Sequence, residues 1–305
     1  MIVFLLFALT ILSSSVVVVF YKSFTEMRTF RSDLPWMIFW SVMPLSAAYA
    51  GICLFNGFEP DAVNFIAGGI AGICNVLAMV YLIRAMTLGS LTLAVILINL
   101  NFVIPILLSV IILKESVSPF QIAGILLMAA VIVVTNLKGE KKGEENPGEG
   151  RKSLVFALMA CLANGLLNFM VKVQQFYLPG RGQNTFYAVL YGSGGLVCLV
   201  AFAAIRFFGE KGVRREPRKE KEKRNSALKI ALTGGCIGAC SAACLYPLTL
   251  LTKYVNASVQ FTVITSGAVL LSLAIAFLKY REKPNVKNIV GTICCLIAIF
   301  LQLIP

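Results

Sequence analysis

The chain is built as five long apolar stretches followed by five more, and the second set echoes the first. Gly68-Gly69-x-x-Gly72-x-Cys74 returns as Gly234-Gly235-x-x-Gly238-x-Cys240, and Phe7-Ala8-Leu9 returns as Phe156-Ala157-Leu158. Glu115 stands nine residues before Gly124, and Glu282 stands nine residues before Gly291. Five is an odd number. If every stretch crosses a bilayer, an odd unit duplicated in one chain places its two copies upside-down relative to each other. Inverted repeats of this kind make two similar faces that open alternately around a site at the membrane midplane. The pattern points to transport before any single side chain is weighed.

Composition agrees. The chain is 58% hydrophobic and 13% charged, with mean hydropathy +0.85, against about 25% charged residues in an average soluble domain. Stretches near the ~20 residues needed to span a bilayer are read at 1–20, 35–55, 62–83, 90–113, 119–137, 153–171, 184–208, 227–250, 256–278 and 288–304. The expected fold is an all-α membrane protein with ten transmembrane helices in two inverted five-helix repeats. Residues 1–137 form the first repeat, 138–152 a charged linker, and 153–305 the second repeat, with a basic loop at 209–226. The first stretch has no basic leading region and no small-x-small cleavage pattern, so it is read as a retained helix.

The net charge of +13 follows sidedness and gives no reason to invoke nucleic acid. With ten spans, the odd-numbered loops share one side and carry 23 of the 27 Lys and Arg; only Lys114, Lys172, Arg181 and Lys253 fall on the other. The positive-inside rule then places the odd loops in the cytoplasm and both termini outside. The basic tract at 209–226 is read as a topology anchor, with attraction to anionic lipid headgroups as the alternative. All nine cysteines fall within the apolar stretches as small packing residues, and histidine is absent. Cys236, Cys240 and Cys244 share a helical face that a soft metal would find attractive, but they stand in a run of small residues. No metal, cofactor or disulfide is expected. The Gly68/Gly72 and Gly234/Gly238 pairs are read as surfaces for close helix contact.

Three segments carry a resemblance to a known family. They are Tyr81-Leu-Ile-Arg-Ala-Met-Thr-Leu-Gly-Ser90, Asn101-Phe-Val-Ile-Pro105, and Leu113-Lys-Glu115-Ser-Val-Ser-Pro-Phe-Gln121-Ile-Ala-Gly124. This series resembles the drug/metabolite transporter superfamily, EamA-type branch. In that family one helix ends in Tyr-x-x-Ala-Leu, the next carries a central Pro and ends in Leu-Gly-Glu, and the next opens with Gln-x-x-Gly. Here Ala85-Met86 stands for Ala-Leu and Lys114 replaces the glycine. In the second half Ser272 stands at the equivalent of Pro105. The resemblance implies two five-helix inverted repeats around a central cavity, moving small metabolites or drugs by alternating access. Many members have cytoplasmic termini, whereas the charge count here argues the reverse.

Polar side chains within spans gather where lipid does not reach them. The candidate substrate-binding residues are Ser14 and Ser15, Asn75, Asn99 and Asn101, Asn164 and Asn168, Tyr246, and Gln260 and Ser266. Several recur at equivalent places in the two halves: Ser15 with Asn164, Asn75 with Ser241, and Asn99 with Ser266. All 14 Asp and Glu lie in loops or at helix ends, so the site is expected to be neutral. Glu115 and Glu282 are read as capping groups or as partners of Lys114 and Arg281. Arg84, Lys172 and Lys253, near the cavity mouths, could attract an anionic substrate; the default reading is that they snorkel to headgroups. Enzyme chemistry would want paired carboxylates on a metal or a His-activated nucleophile, and the spans offer neither. The expected function is a secondary transporter or exporter of a small metabolite, amino acid-like or amphipathic and drug-like. It would be a multi-pass monomer in the cell membrane, with lipid and a small solute as its partners. A non-transporting lipid-handling or scaffold protein is the alternative.

Overall fold

The computed structural model describes residues 2–26, 33–88, 98, 100–136, 147–208, 220–280, 293–294, 296–297 and 300–301. Among them are nine α-helices, one 3-10 turn and no strand. The helices are α1 (Ile2–Glu26), α2 (Asp33–Asn56), α3 (Ala62–Leu88), α4 (Val103–Ile112), α5 (Pro119–Asn136), α6 (Pro147–Tyr177), α7 (Gln183–Phe208), α8 (Glu220–Leu251) and α9 (Ala257–Tyr280). The 3-10 turn Leu100–Phe102 leads into α4. Among the described residues five segments are long and apolar enough to cross a membrane: Asp33–Phe55, Ala62–Leu88, Lys152–Tyr177, Gln183–Ile205 and Ala227–Leu251. Val3–Val17 and Leu100–Ile112 are shorter apolar helices. Asn99, Glu282, Arg281, Ser272's side chain, the centre of the linker and most of the tenth apolar stretch lie outside the described residues.

Local sequence sets the helix ends. The Asp61 side chain accepts a hydrogen bond from the Val63 amide at 2.8 Å and opens α3, meeting one of the amides that a helix leaves unpaired at its start. α5 opens on a reciprocal capping box. The Gln121 amide donates to Ser118 Oγ at 3.3 Å, and the Ser118 amide donates to Gln121 Oε1 at 3.2 Å, with Pro119 as the first helical residue. α4 closes through Lys114, whose backbone is left-handed at φ 55°. The turn brings the amides of Leu113 and Glu115 back to the Ser109 carbonyl.

The halves are interwoven. The most extensive contacts, α3 on α6, α2 on α7, α1 on α8, α3 on α7 and α2 on α8, all join one half to the other. Exchange α1 with α6, α2 with α7, α3 with α8 and α4 with α9, and this set of contacts maps onto itself. α3 on α6 becomes α8 on α1, and α3 on α7 becomes α8 on α2. The weaker α1–α9 and α4–α6 contacts exchange as well.

The repeated glycines make the closest of these contacts. A Cβ on Gly72 would collide with the Leu190 carbonyl and Ser193 on α7, and one on Gly68 would come within 3.0 Å of the Phe186 carbonyl. On the exchanged pair, a Cβ on Gly234 would collide with the Met37 carbonyl, and one on Gly238 with the Ser41 carbonyl of α2. Backbone approach of this kind is what small-residue pairs permit where lipid gives no hydrophobic drive for association.

One end of the bundle gathers the turns at 57–61, 113–118, 178–182 and 252–256. There the Glu59 amide donates to Thr185 Oγ1 at 3.4 Å, and Gln174 Nε2 donates to Asn64 Oδ1 at 3.2 Å and to the Arg181 carbonyl at 2.8 Å. At the opposite end Ser153 Oγ donates to the Ala85 carbonyl at 2.9 Å, and Tyr81 stacks on Phe156 at 6.0 Å.

Candidate functional site

The buried apolar side chains form two clusters, one toward each end. One holds Phe102, Leu167, Val171, Phe186, Tyr187, Leu190, Tyr191, Leu248, Leu251 and Phe261. The other holds Tyr21, Phe24, Met37, Ile38, Val76, Met79, Leu82, Ala160, Ile230 and Ile237. Where a helix passes from one cluster to the other, its residues turn small or polar. On α1 the crossing holds Thr10 and Ser13 to Ser15. On α2 it holds Ser41, on α3 Asn75, on α6 Asn164, on α7 Gly192 to Gly195, and on α8 Gly238 to Ser241. Ile98 packs on one cluster and Leu100 on the other, so Asn101, between Leu100 and Phe102, lies within the latter. The polar residues singled out on α1, α3 and α6 thus share one level of the bundle.

Hydroxyls and amides behave differently there. Thr10 Oγ1 donates to the Leu6 carbonyl at 2.8 Å, and Ser14 and Ser15 both donate to the Ile11 carbonyl, at 2.9 and 3.0 Å. Ser41 Oγ donates to the Ile38 carbonyl at 2.7 Å. A short hydroxyl reaches the carbonyl three or four residues back on its own helix, so these donors are already used. An amide carries two donors and an acceptor with two lone pairs, and its own helix leaves some of that capacity over. Asn75 is 5% exposed, and its Nδ2 has no partner among the described residues. Asn164 and Asn168 are half-buried on one face of α6. Gly165 packs against Ile104, which brings the turn carrying Asn101 to the same seam.

The remaining candidates sit elsewhere. Gln260 is fully buried. Its Nε2 donates to the Leu248 carbonyl at 2.5 Å, tying α9 to α8 within one apolar cluster, while its Oε1 and Thr262 Oγ1 have no partner among the described residues. Ser266 is fully buried on the same helix. Tyr246 is 38% exposed, its ring 6.1 Å from that of Tyr187. No hydrogen bond joins two of the ten residues nominated from sequence among those described.

Two groups of residues were not foreseen as parts of a site. Tyr49, Tyr187 and Tyr191 stack with ring centroids 5.1 to 6.1 Å apart. Tyr187 donates to the Leu245 carbonyl at 2.7 Å beside Thr249, and the Tyr191 hydroxyl is buried without a partner among the described residues. The spacing of Tyr187 and Tyr191, one turn apart on α7, was the available signal. The second group is an ion pair. Lys172 does not snorkel to headgroups: it is 3% exposed, with Nζ 2.7 Å from Glu115 Oε1 and donating to Oε2 at 2.8 Å. This also corrects the partner expected for Glu115. Lys114 is exposed, on a left-handed backbone, and the Glu115 carboxylate reaches across to the other half of the chain. A buried pair of this kind loses about 3–5 kcal/mol when one partner is removed, because the other charge is left uncompensated.

The eight cysteines among the described residues are free thiols, and Cys236 is exposed. No group of metal-ligating side chains is found among the described residues.

The comparisons with known proteins follow the same outline. A model of the EamA-like transporter family matches residues 1–137 and 151–304. The chain is also similar to a solved chain described only as "Crystal structure of protein", at 16% identity and a TM-score of 0.67. That match covers 98% of this chain and 95% of the other. At this identity the likeness concerns the fold alone. No curated protein matches.

Proposed function

The chain belongs to the EamA-like transporter family, a multi-pass membrane family of the drug/metabolite transporter type, and from that premise we propose that it is a secondary transporter or exporter of a small metabolite. The observation that carries this reading is the split core. Two apolar clusters meet at a level where α1, α2, α3, α6, α7 and α8 all become small or polar. A polar group deep in a membrane bundle costs free energy unless a partner or a water-filled space receives it. Asn75 Nδ2 is unfilled capacity among the described residues, and the amides of Asn164 and Asn168 lie half-buried on the packed neighbour α6.

In this reading ten spans form two inverted five-helix repeats, and the exchange pattern of helix contacts supports it. The solute sits between the halves and is held mainly by hydrogen bonds. Rocking of one half on the other, over the smooth glycine seams, exposes it to each side in turn. The solute is amino acid-like or amphipathic, the protein is a monomer, and the membrane is that of the cell. No enzymatic step is assigned.

The test is counterflow uptake into proteoliposomes across classes of small metabolite. Asn164→Leu and Asn168→Leu are expected to lower uptake of the transported solute at least about tenfold while the protein still purifies as a monodisperse species. Normal uptake by both variants would remove the amides from the site. Absence of uptake for every solute class by the unaltered protein would favour the scaffold alternative.

A further inference from the structure

We infer that Tyr187 is a positioning residue for transport: its hydroxyl latches a hinge at Pro247 in α8, and release of that latch lets the last turn of α8 bend away and open the end that carries the turns at 57–61, 113–118, 178–182 and 252–256. The inference rests on the transport reading above and adds the part that moves.

α8 has a clamped stretch and a hinged one. Gly234 and Gly238 hold it against the α2 backbone at Met37 and Ser41. Pro247 stands further along inside the helix, and it has no amide for the Ala243 carbonyl four residues back. Around this break, side chains from two neighbouring helices donate to α8 carbonyls. Tyr187 on α7 donates to the Leu245 carbonyl at 2.7 Å, and Gln260 on α9 donates to the Leu248 carbonyl at 2.5 Å. Thr249 of α8 itself adds a third bond, to the Leu245 carbonyl at 2.8 Å. All three donors are fully buried.

The image of this arrangement at the other end is built differently. The offset that pairs Gly68 with Gly234 sets Tyr81 of α3 at the place of Pro247. α3 runs through that place without a proline, and its tip is pinned to α6: Tyr81 stacks on Phe156 at 6.0 Å, and the Ala85 carbonyl accepts from Ser153 at 2.9 Å. The glycine contacts fix a second register. Phe186 and Leu190 meet Gly68 and Gly72 as Met37 and Ser41 meet Gly234 and Gly238, so Ile38, Val42 and Cys198 are the images of Tyr187, Tyr191 and Tyr49, and none of them carries a hydroxyl. One end is thus held by packing along a continuous helix, the other by hydrogen bonds across a broken one. A hydrogen bond passes to water at small net cost, whereas parting packed side chains gives up all their contacts. Bending at Pro247 leaves the glycine clamp in place, so the bend adds to the rocking of the halves at this end alone.

The experiment is hydrogen exchange of the full chain in lipid nanodiscs, read at 248–256 and at the image stretch 82–88. Where opening is local, exchange tracks the opening equilibrium. Tyr187→Phe keeps the ring and its stacking. It is expected to speed exchange at 248–256 about threefold or more and to leave 82–88 unchanged. Tyr191→Phe removes a hydroxyl that has no partner among the described residues, and is expected to change neither stretch by more than about twofold. Pro247→Ala is expected to cancel most of the Tyr187→Phe effect, since two changes acting on one hinge do not add. It is also expected to lower uptake into proteoliposomes at least about threefold. Should Tyr187→Phe not fold, Gln260→Leu provides the second reading, with the same expectation at 248–256. Equal effects of Tyr187→Phe and Tyr191→Phe, equal effects at the two stretches, or an effect that persists in full beside Pro247→Ala would each overturn the inference. Normal uptake by Pro247→Ala would overturn it while the transport reading stands. If the unaltered chain carries no solute of any class, both fall together.

Discussion

Lys114 is the one non-glycine residue among those described with a left-handed backbone, at φ 55°. An L-residue pays roughly 1–2 kcal/mol there, because Cβ crowds the following carbonyl oxygen, while glycine does not. The family pattern Leu-Gly-Glu has its glycine at this place, and the fold shows why: the turn after α4 must reverse tightly to return the Glu115 amide to Ser109 and aim the carboxylate at Lys172. Lys114→Gly is therefore expected to stabilise the protein. The gain should be about 0.5–1 kcal/mol once glycine's greater freedom in the unfolded chain is deducted. It would be read as a higher midpoint of thermal unfolding in detergent; a lower midpoint would mean that the Lys114 side chain makes contributions larger than the backbone cost. At this scale the sequence identified Glu115 as a helix-end residue and the replaced glycine as a departure. It misread Lys172, because a cation near a helix end is most simply taken to reach headgroups, and its partner is 57 positions away.

Among the elements, the glycine pairs separate two roles that sequence alone does not distinguish. Gly68-Gly69 and Gly234-Gly235 look alike as text. In the fold, a Cβ on Gly69 or Gly235 meets nothing within 4 Å, whereas one on Gly72 or Gly238 runs into the backbone of α7 or α2. Gly69→Ala and Gly235→Ala should be neutral or stabilising by up to about 1 kcal/mol, the helix-propensity difference. Gly72→Ala and Gly238→Ala should each cost about 1–3 kcal/mol, as overpacking does, because backbone cannot move aside as a flexible side chain can. Unfolding midpoints of the four variants check this; equal effects of Gly69→Ala and Gly72→Ala, or of Gly235→Ala and Gly238→Ala, would show that the helices are not in backbone contact. Pro44 in α2 and Pro247 in α8 add a second common feature of these two packed helices. Each removes an intrahelical hydrogen bond, which membrane helices tolerate where neighbours answer the freed carbonyl.

For the whole molecule, sidedness follows from charge. The turns at 57–61, 113–118, 178–182 and 252–256 share one end and carry few basic residues, while α7 ends at Phe208 and α8 begins at Glu220, on either side of the basic tract. By the positive-inside rule that tract is expected in the cytoplasm. A cysteine at Glu220 should be closed to an impermeant thiol reagent in intact cells and become reactive on lysis, relative to the unsubstituted chain. Reaction from outside would reverse the orientation and place both termini in the cytoplasm. The tested end then also matters for the ion pair, which would close the extracytoplasmic side in the present conformation.

The sequence by itself determined the class of architecture. Long uncharged apolar runs can bury their backbone in lipid only as helices, and the spaced repeats of glycine and glutamate announced a duplicated unit. Asn75, Asn101 and Asn164 were legible as interior polar residues for the same reason, since a span exposes polar groups to lipid only at a cost. The serines beside them were legible as interior and not as already satisfied. Only the tertiary structure decided which helices meet, and with that which glycines bear on backbone, where the apolar core divides in two, and that Lys172 and Glu115 are one another's partners. Periodicity reports the face a residue occupies on its own helix. The neighbour across that face comes from the other half of the chain, and no local pattern carries its address.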